Sequence, residues 1–250
     1  MQYKKMSAGY GAAAVIAAVV LAGCENTTVP TGSVESYALA DYLCPENNAT
    51  LNFDYFASEK AENPESIDAL ESLDKRNYFV AEHNGSACSI LLREESTPQM
   101  VYVDKGSTVL VTDYRTTPTY TYSLAARASI GEDLVADHTI YDGTLDDGRL
   151  KVTYACRIVE HFETKSVEGY RRSFDDVLSI ACDQNTTLYA TVAHTDMAKT
   201  TQRSEEIWLA KGAGVLQRTV TDCAKIQADG VESDPKCTRT QERLSDLYEQ

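Results

Sequence analysis

Val152-Thr153-Tyr154-Ala155-Cys156-Arg157-Ile158 and, beyond a loop near Gly169, Leu178-Ser179-Ile180-Ala181-Cys182 are the two stretches that decide the fold. Side chains along a strand alternate between the two faces of a sheet, so Val152, Tyr154, Cys156 and Ile158 share one face. Leu178, Ile180 and Cys182 share a face of the following strand for the same reason. An antiparallel register that sets Cys156 opposite Cys182 also sets Ile158 opposite Ile180. The apolar pattern and the cysteine pair therefore agree, and they predict a hairpin crossed by a Cys156–Cys182 disulfide.

The same signals recur outward from this hairpin. Runs rich in Val, Ile, Thr and Tyr, broken by Gly, Asp and Asn, give candidate strands at 78–82, 88–94, 100–104, 108–114, 120–130, 134–141, 149–162, 170–182, 188–194, 205–211 and 215–221. Three glycine-bearing turns join some of them: Gly131-Glu132-Asp133, the stretch from Gly143 to Gly148, and Gly212-Ala213-Gly214. No long helix separates these strands. The fold class expected is mainly β: an antiparallel meander forming a curved sheet or partly open barrel.

Two helices are expected beside it. Asn63-Pro64 followed by Ile67, Leu70 and Leu73 predicts a short helix near 64–74. Thr238 three residues before Gln241, with Leu244, Leu247 and Tyr248 on one helical face, predicts a C-terminal helix. Residues 37–56 are mixed and settle neither helix nor strand.

The N-terminus carries an export pattern. Lys4 and Lys5 precede an apolar stretch at 8–23, which is too short for the roughly 20 residues that span a bilayer. It closes with Leu21-Ala22-Gly23-Cys24, which resembles the lipobox of bacterial lipoproteins. The resemblance implies cleavage of a signal peptide at 1–23 and acylation of Cys24. Two or three acyl chains would anchor the protein stably to a membrane. Glu at position 25, where Asp is the usual inner-membrane retention signal of enteric lipoproteins, implies the outer membrane of the cell envelope. Residues 24–36 then form the acylated Cys and a polar, turn-rich tether, and 37–250 a single β-rich domain. The twelve residues from 25 to 36 could reach about 40 Å when extended.

A second pattern, Asp176-Val177-Leu178-Ser179-Ile180 followed by Ile207-Trp208-Leu209-Ala210-Lys211-Gly212-Ala213-Gly214-Val215, is similar to one in β-sheet envelope lipoproteins. It implies a β fold and brings no catalytic residue with it.

Export makes the cysteines readable. Apart from Cys24 there are six, Cys44, Cys88, Cys156, Cys182, Cys223 and Cys237, an even number in an oxidising compartment. Six cysteines allow 15 pairings. With Cys156–Cys182 set by register, Cys223–Cys237 closes a short Gly- and Pro-containing loop, and Cys44–Cys88 remains. A metal site is not expected, because there is no Cys-x-x-Cys and His83, His138, His161 and His194 lack neighbours at zinc-like spacing.

Chemistry is sparse. The chain has 38 Asp plus Glu against 23 Lys plus Arg, a formal charge of −15, the wrong sign for binding nucleic acid through phosphate contacts. There is no Gly-x-Ser-x-Gly elbow, no Walker A loop and no Gly-x-Gly-x-x-Gly. Ser72-x-x-Lys75 has the spacing of penicillin-recognising enzymes but lacks a Lys-Thr-Gly partner. Asp142, Asp146 and Asp147 read as turn acids in a sequence order unlike an EF-hand. Glu160 and His161, being adjacent in a strand, point to opposite faces. No catalytic residue and no cofactor is expected.

Tyr114, Arg115, Tyr120, Tyr122 and Arg127 form the densest aromatic and cationic stretch, a candidate binding surface. Their simpler reading is that Tyr120, Tyr122, Leu124 and Ala126 form one buried strand face. The function expected is that of a non-enzymatic, lipid-anchored binding or assembly module with an envelope protein partner. The alternative is a carrier of a lipid or other apolar ligand in a half-barrel, and an envelope hydrolase ranks third. A cavity of several hundred Å³ inside the sheet distinguishes the carrier, and a filled interior excludes it.

Overall fold

The alternation read in the sequence continues well past the expected strand ends. The computed structural model describes residues 35–59, 70–93, 97–145, 148–192 and 195–249. In chain order these form β1 (Tyr37–Ala38), the one-turn helix α1 (Ala40–Leu43), β2 (Ala49–Ala57), β3 (Glu71–Asn84), β4 (Ala87–Leu92), β5 (Pro98–Asp104), β6 (Thr108–Asp113), β7 (Tyr120–Ala125) and β8 (Arg127–Ala128). There follow β9 (Thr139–Leu145), β10 (Gly148–Ser166), β11 (Ser173–Val192), β12 (Thr195–Ala210), β13 (Gly214–Ala228), β14 (Val231–Glu232) and β15 (Lys236–Glu249).

Strands β2 to β7 form one antiparallel meander and β9 to β13 a second. The C-terminal strand β15 lies between β2 and β13, so it splices the two into a single sheet ordered β7-β6-β5-β4-β3-β2-β15-β13-β12-β11-β10-β9. The sheet then nearly closes on itself. Between its two ends runs the segment 129–138: Ala125 N donates to Leu134 O at 2.7 Å, Leu134 N to Cys156 O at 2.8 Å and Tyr154 N to His138 O at 2.7 Å. Backbone groups that an open edge would leave unpaired thus find partners.

The hairpin register is as the sequence predicts, with Cys156 opposite Cys182 and Ile158 opposite Ile180. Disulfides join Cys156 to Cys182, Cys223 to Cys237 and Cys44 to Cys88. The last fastens a plug. Residues 37–46 lie across the end of the barrel where the β3–β4, β5–β6 and β12–β13 turns gather, with Leu39, Tyr42 and Leu43 buried. Gly212 N donates to Asp41 O and Glu46 N to Gly212 O, both at 2.8 Å. Gly214, at φ +80°, sits so close to Pro45 that a Cβ would lie 3.1 Å from the proline ring. Tyr42 donates its hydroxyl to Asp176 at 2.5 Å, and Asp176 also pairs with His161 Nε2 at 3.0 Å.

Neither expected helix forms among the described residues. Of 64–74, residues 64–69 lie outside them, and 71–74 open β3, paired to β2 through Ala57–Glu71 and Phe56–Ser72. The C-terminal helix is replaced by β15. Its three-residue Leu244–Leu247 spacing imitates a helix because a β-bulge at Ser245 resets the alternation, placing Leu244 opposite Phe53 and Leu247 opposite Leu51. A short isolated helix is marginal in water, whereas a central strand satisfies its backbone on both sides.

Replacing Cys44 and Cys88 together by Ser opens a loop whose ends are 44 residues apart. The expected loss is about 4 kcal/mol of unfolding free energy from loop-closure entropy, measured by urea denaturation. A loss under about 1 kcal/mol would show that the plug is held without its disulfide.

Candidate functional site

Because the sheet nearly closes, alternate residues from many strands converge on one interior. Val111 faces Tyr122 across β6 and β7, Ile180 faces Ile207 across β11 and β12, and Arg218 on β13 lies opposite both Ile207 and Glu242. These residues surround a cavity of about 360 Å³. Next to the plug its walls include Leu43, Leu124, Leu134 and Leu209; Tyr102, Tyr122 and Tyr154 also line it, and its charged residues Asp113, Arg115, Glu205, Arg218 and Glu242 stand among the amides of Asn77, Gln99 and Gln184 and the apolar side chains of Phe79, Leu92 and Met100.

The charged layer is organised as ion pairs. Arg115 grips Asp113 through Nε at 2.9 Å and Nη2 at 2.6 Å. Arg218 grips Glu205 through Nε at 3.1 Å and Nη2 at 2.8 Å. Arg203 Nε approaches Glu205 Oε1 at 2.7 Å, yet off the angle a hydrogen bond needs, so this buried N–H has a charged neighbour and no hydrogen-bond partner. Asn77 donates to Glu242 at 2.7 Å. The Glu205 side chain is only 8% exposed and Arg218 14%, while Arg115 keeps 29%.

Burial alone would raise the Glu205 carboxyl, but Arg218 and Arg203 overcome it and hold the group down at about 2. Asp113 is likewise lowered: burial opposes ionisation and Arg115 outweighs it. Burial pushes the Tyr102 phenol up to about 12 and raises Tyr122 and Tyr154 further, so all three keep their protons. Tyr102 donates its own to Met100 Sδ at 3.3 Å, and Tyr122 and Tyr154 are hydrogen-bonded to each other.

The aromatic and cationic stretch singled out in the sequence divides here. Arg115, Tyr120 and Tyr122 line the cavity, whereas Tyr114 and Arg127 are exposed outside it. Arg127 reaches back to the Ser36 carbonyl at 3.0 Å. Of the disulfide cysteines, Cys156 and Cys182 line the cavity. Cys24 lies outside the described residues.

Asp142 is paired with Arg149 at 2.9 Å, and Asp146 and Asp147 lie outside the described residues. Ser72 and Lys75 are strand residues flanking the β3 irregularity. His161 turns to Asp176 beneath the plug and away from Glu160's face. The described lining residues include no Ser, Thr, His or Lys. No group of three or more His, Cys, Asp or Glu among the described residues is placed to hold a metal.

Glu205 and Arg218 escaped the sequence reading. Glu205 was legible in principle, since it occupies the same alternating face as Ile207 and Leu209 and so needs a buried partner. Arg218 was not, because a bulge at Leu216 puts Val215 and Arg218 on one face at a spacing of three.

No family model matches the chain, and no curated protein or solved structure is significantly similar to it.

Glu205→Ala leaves Arg218 buried without its carboxylate and is expected to cost about 3–5 kcal/mol, whereas Glu205→Leu with Arg218→Met should cost far less. Glu205 is depressed in the folded protein, so its contribution is complete above its ordinary value of 4.5 and is lost as pH falls toward about 2. Urea titrations between pH 5 and 2 should therefore show a steeper decline for the natural protein than for the double variant. Parallel slopes would remove Glu205 from the account.

Proposed function

We propose that the protein is a non-enzymatic carrier that takes a small apolar or amphiphilic molecule into its barrel. The observation that carries this reading is the cavity of about 360 Å³ with apolar walls beside the plug. Small-molecule sites of about 300–1,000 Å³ are mostly apolar with a few placed polar groups, and this interior has that composition. A plug across one end suits retention better than passage.

The lipobox-like Leu21-Ala22-Gly23-Cys24 supports anchoring through an acylated Cys24 at a bacterial envelope membrane, with the outer membrane favoured by Glu25. A carrier held there samples the phase in which apolar ligands reside. The competing reading, an assembly module with an envelope protein partner, has weaker support, since Arg115, Tyr120 and Tyr122 line the interior instead of forming an outer patch. A hydrolase has weaker support still, as no nucleophile–base set stands among the described lining residues.

The test is fluorescence titration with the neutral probe N-phenyl-1-naphthylamine. Saturable binding at about one probe per chain is expected. Ile207→Trp, which fills the cavity from β12, should weaken it by about tenfold or more while circular dichroism stays that of the natural protein. Unsaturable binding, or a Trp variant that folds and binds as before, would contradict the carrier reading.

A further inference from the structure

The carrier reading leaves the chemistry of the cargo open, and the charges around the cavity narrow it. Resting on that reading, we infer that the ligand is a small organic cation, one apolar chain ending in an amine, whose ammonium group pairs with Glu242 while the chain lies against the apolar walls. A volume of about 360 Å³ lies near the lower bound of small-molecule sites, which suits a single chain.

Three observations carry this. The first is the balance of charge. Among the described residues the cavity wall holds three carboxylates, Asp113, Glu205 and Glu242, against two guanidinium groups, Arg115 and Arg218. Arg203, which is not part of the wall, stands 2.7 Å from Glu205 and 3.7 Å from Asp222, so counting it brings in Asp222 as well and leaves the difference unchanged. One negative charge is in excess, and it can be located. Arg115 is spent on Asp113, and Arg218 on Glu205. Glu242 lies opposite Arg218 in the β13–β15 register, yet no cation among the described residues comes within ion-pair distance of it. Its Oε1 accepts from the neutral amide of Asn77 at 2.7 Å.

The second observation is hydrogen-bonding capacity. Three carboxylates offer about twelve acceptor positions, and two guanidinium groups bring about ten N–H donors. The tyrosines do not make up the shortfall. Tyr102 spends its proton on Met100 Sδ, and the bond between Tyr122 and Tyr154 uses another, while the hydroxyl oxygens keep lone pairs to offer. An ammonium brings three donors and no acceptor, which fits this surplus; a carboxylate head would add acceptors where they already exceed donors.

The third is the aromatic content of the wall and the field around it. Phe53, Phe79, Tyr102, Tyr120, Tyr122 and Tyr154 all line the cavity. Ring faces attract a cation within about 6 Å, and more strongly where water is excluded. The formal charge of the whole chain, −15, draws cations toward the protein and repels anions.

Calorimetric titration of the protein at neutral pH with decylamine, decanol and decanoate, each below its aggregation limit, tests the inference. Decylamine should bind at least about tenfold tighter than decanol, with decanoate weakest. Glu242→Gln keeps an acceptor for Asn77 and leaves both arginine pairs intact. In that variant decylamine should fall to the affinity of decanol, while decanol is unchanged. Ile207→Trp should weaken decylamine by about tenfold or more, as binding inside the barrel requires. Decylamine no tighter than decanol, an amine preference that persists in Glu242→Gln, or amine binding that survives in folded Ile207→Trp would each overturn the cation assignment and leave the carrier reading standing. If none of the three compounds binds while the protein is folded, the carrier reading itself fails, and this inference with it.

Discussion

Side chains alternate with a period of two along a strand, and in a sheet that nearly closes this sends half of every strand into one shared interior. The rest of the structure follows from that constraint. Residues far apart in sequence, such as Tyr102, Tyr154 and Arg218, become neighbours only because β15 splices two meanders between β2 and β13. Each β-bulge then decides which residues join the interior. The bulge at Leu216 admits both Val215 and Arg218, and the one at Ser245 admits both Leu244 and Leu247.

The interior so formed is filled unevenly. Around the plug, Leu39, Leu134, Leu178 and Leu244 are buried to 1% exposure or less, as a packed core requires. Beside them the same alternation lines a cavity in which carboxylates and guanidinium groups face one another. Buried ion pairs are often no more stabilising than apolar residues of similar volume, because desolvation offsets attraction. Glu205, with Arg218 and Arg203 around it, is thus poorly explained as a device for stability alone. A site that must present directed hydrogen bonds inside an apolar wall accounts for it better.

Sequence reasoning reached furthest where two local signals coincided. The Cys156–Cys182 register was legible because an apolar alternation and a cysteine pair specified the same partner. Of the three pairings then open to the other four cysteines, the short loop between Cys223 and Cys237 selected the one that forms, with Cys44–Cys88 as the remainder. The C-terminal helix failed where a bulge made strand spacing look helical: Leu244 and Leu247 differ by three, as on a helix, but Ser245 is the inserted residue. The polar layer was illegible for a related reason. Arg115 and Glu205 can be recognised as charged residues next to apolar alternations, but their shared cavity depends on closure, which no local pattern encodes.

The most direct measurement of the central claim is organic extraction of the protein purified from the cells that make it, with mass spectrometry of the extract and quantitation against protein. The account predicts one small apolar or amphiphilic molecule at about one per chain, depleted when Ile207→Trp protein is treated identically. An extract that holds no small molecule in proportion to protein, or holds the same one equally in the filled variant, would contradict it.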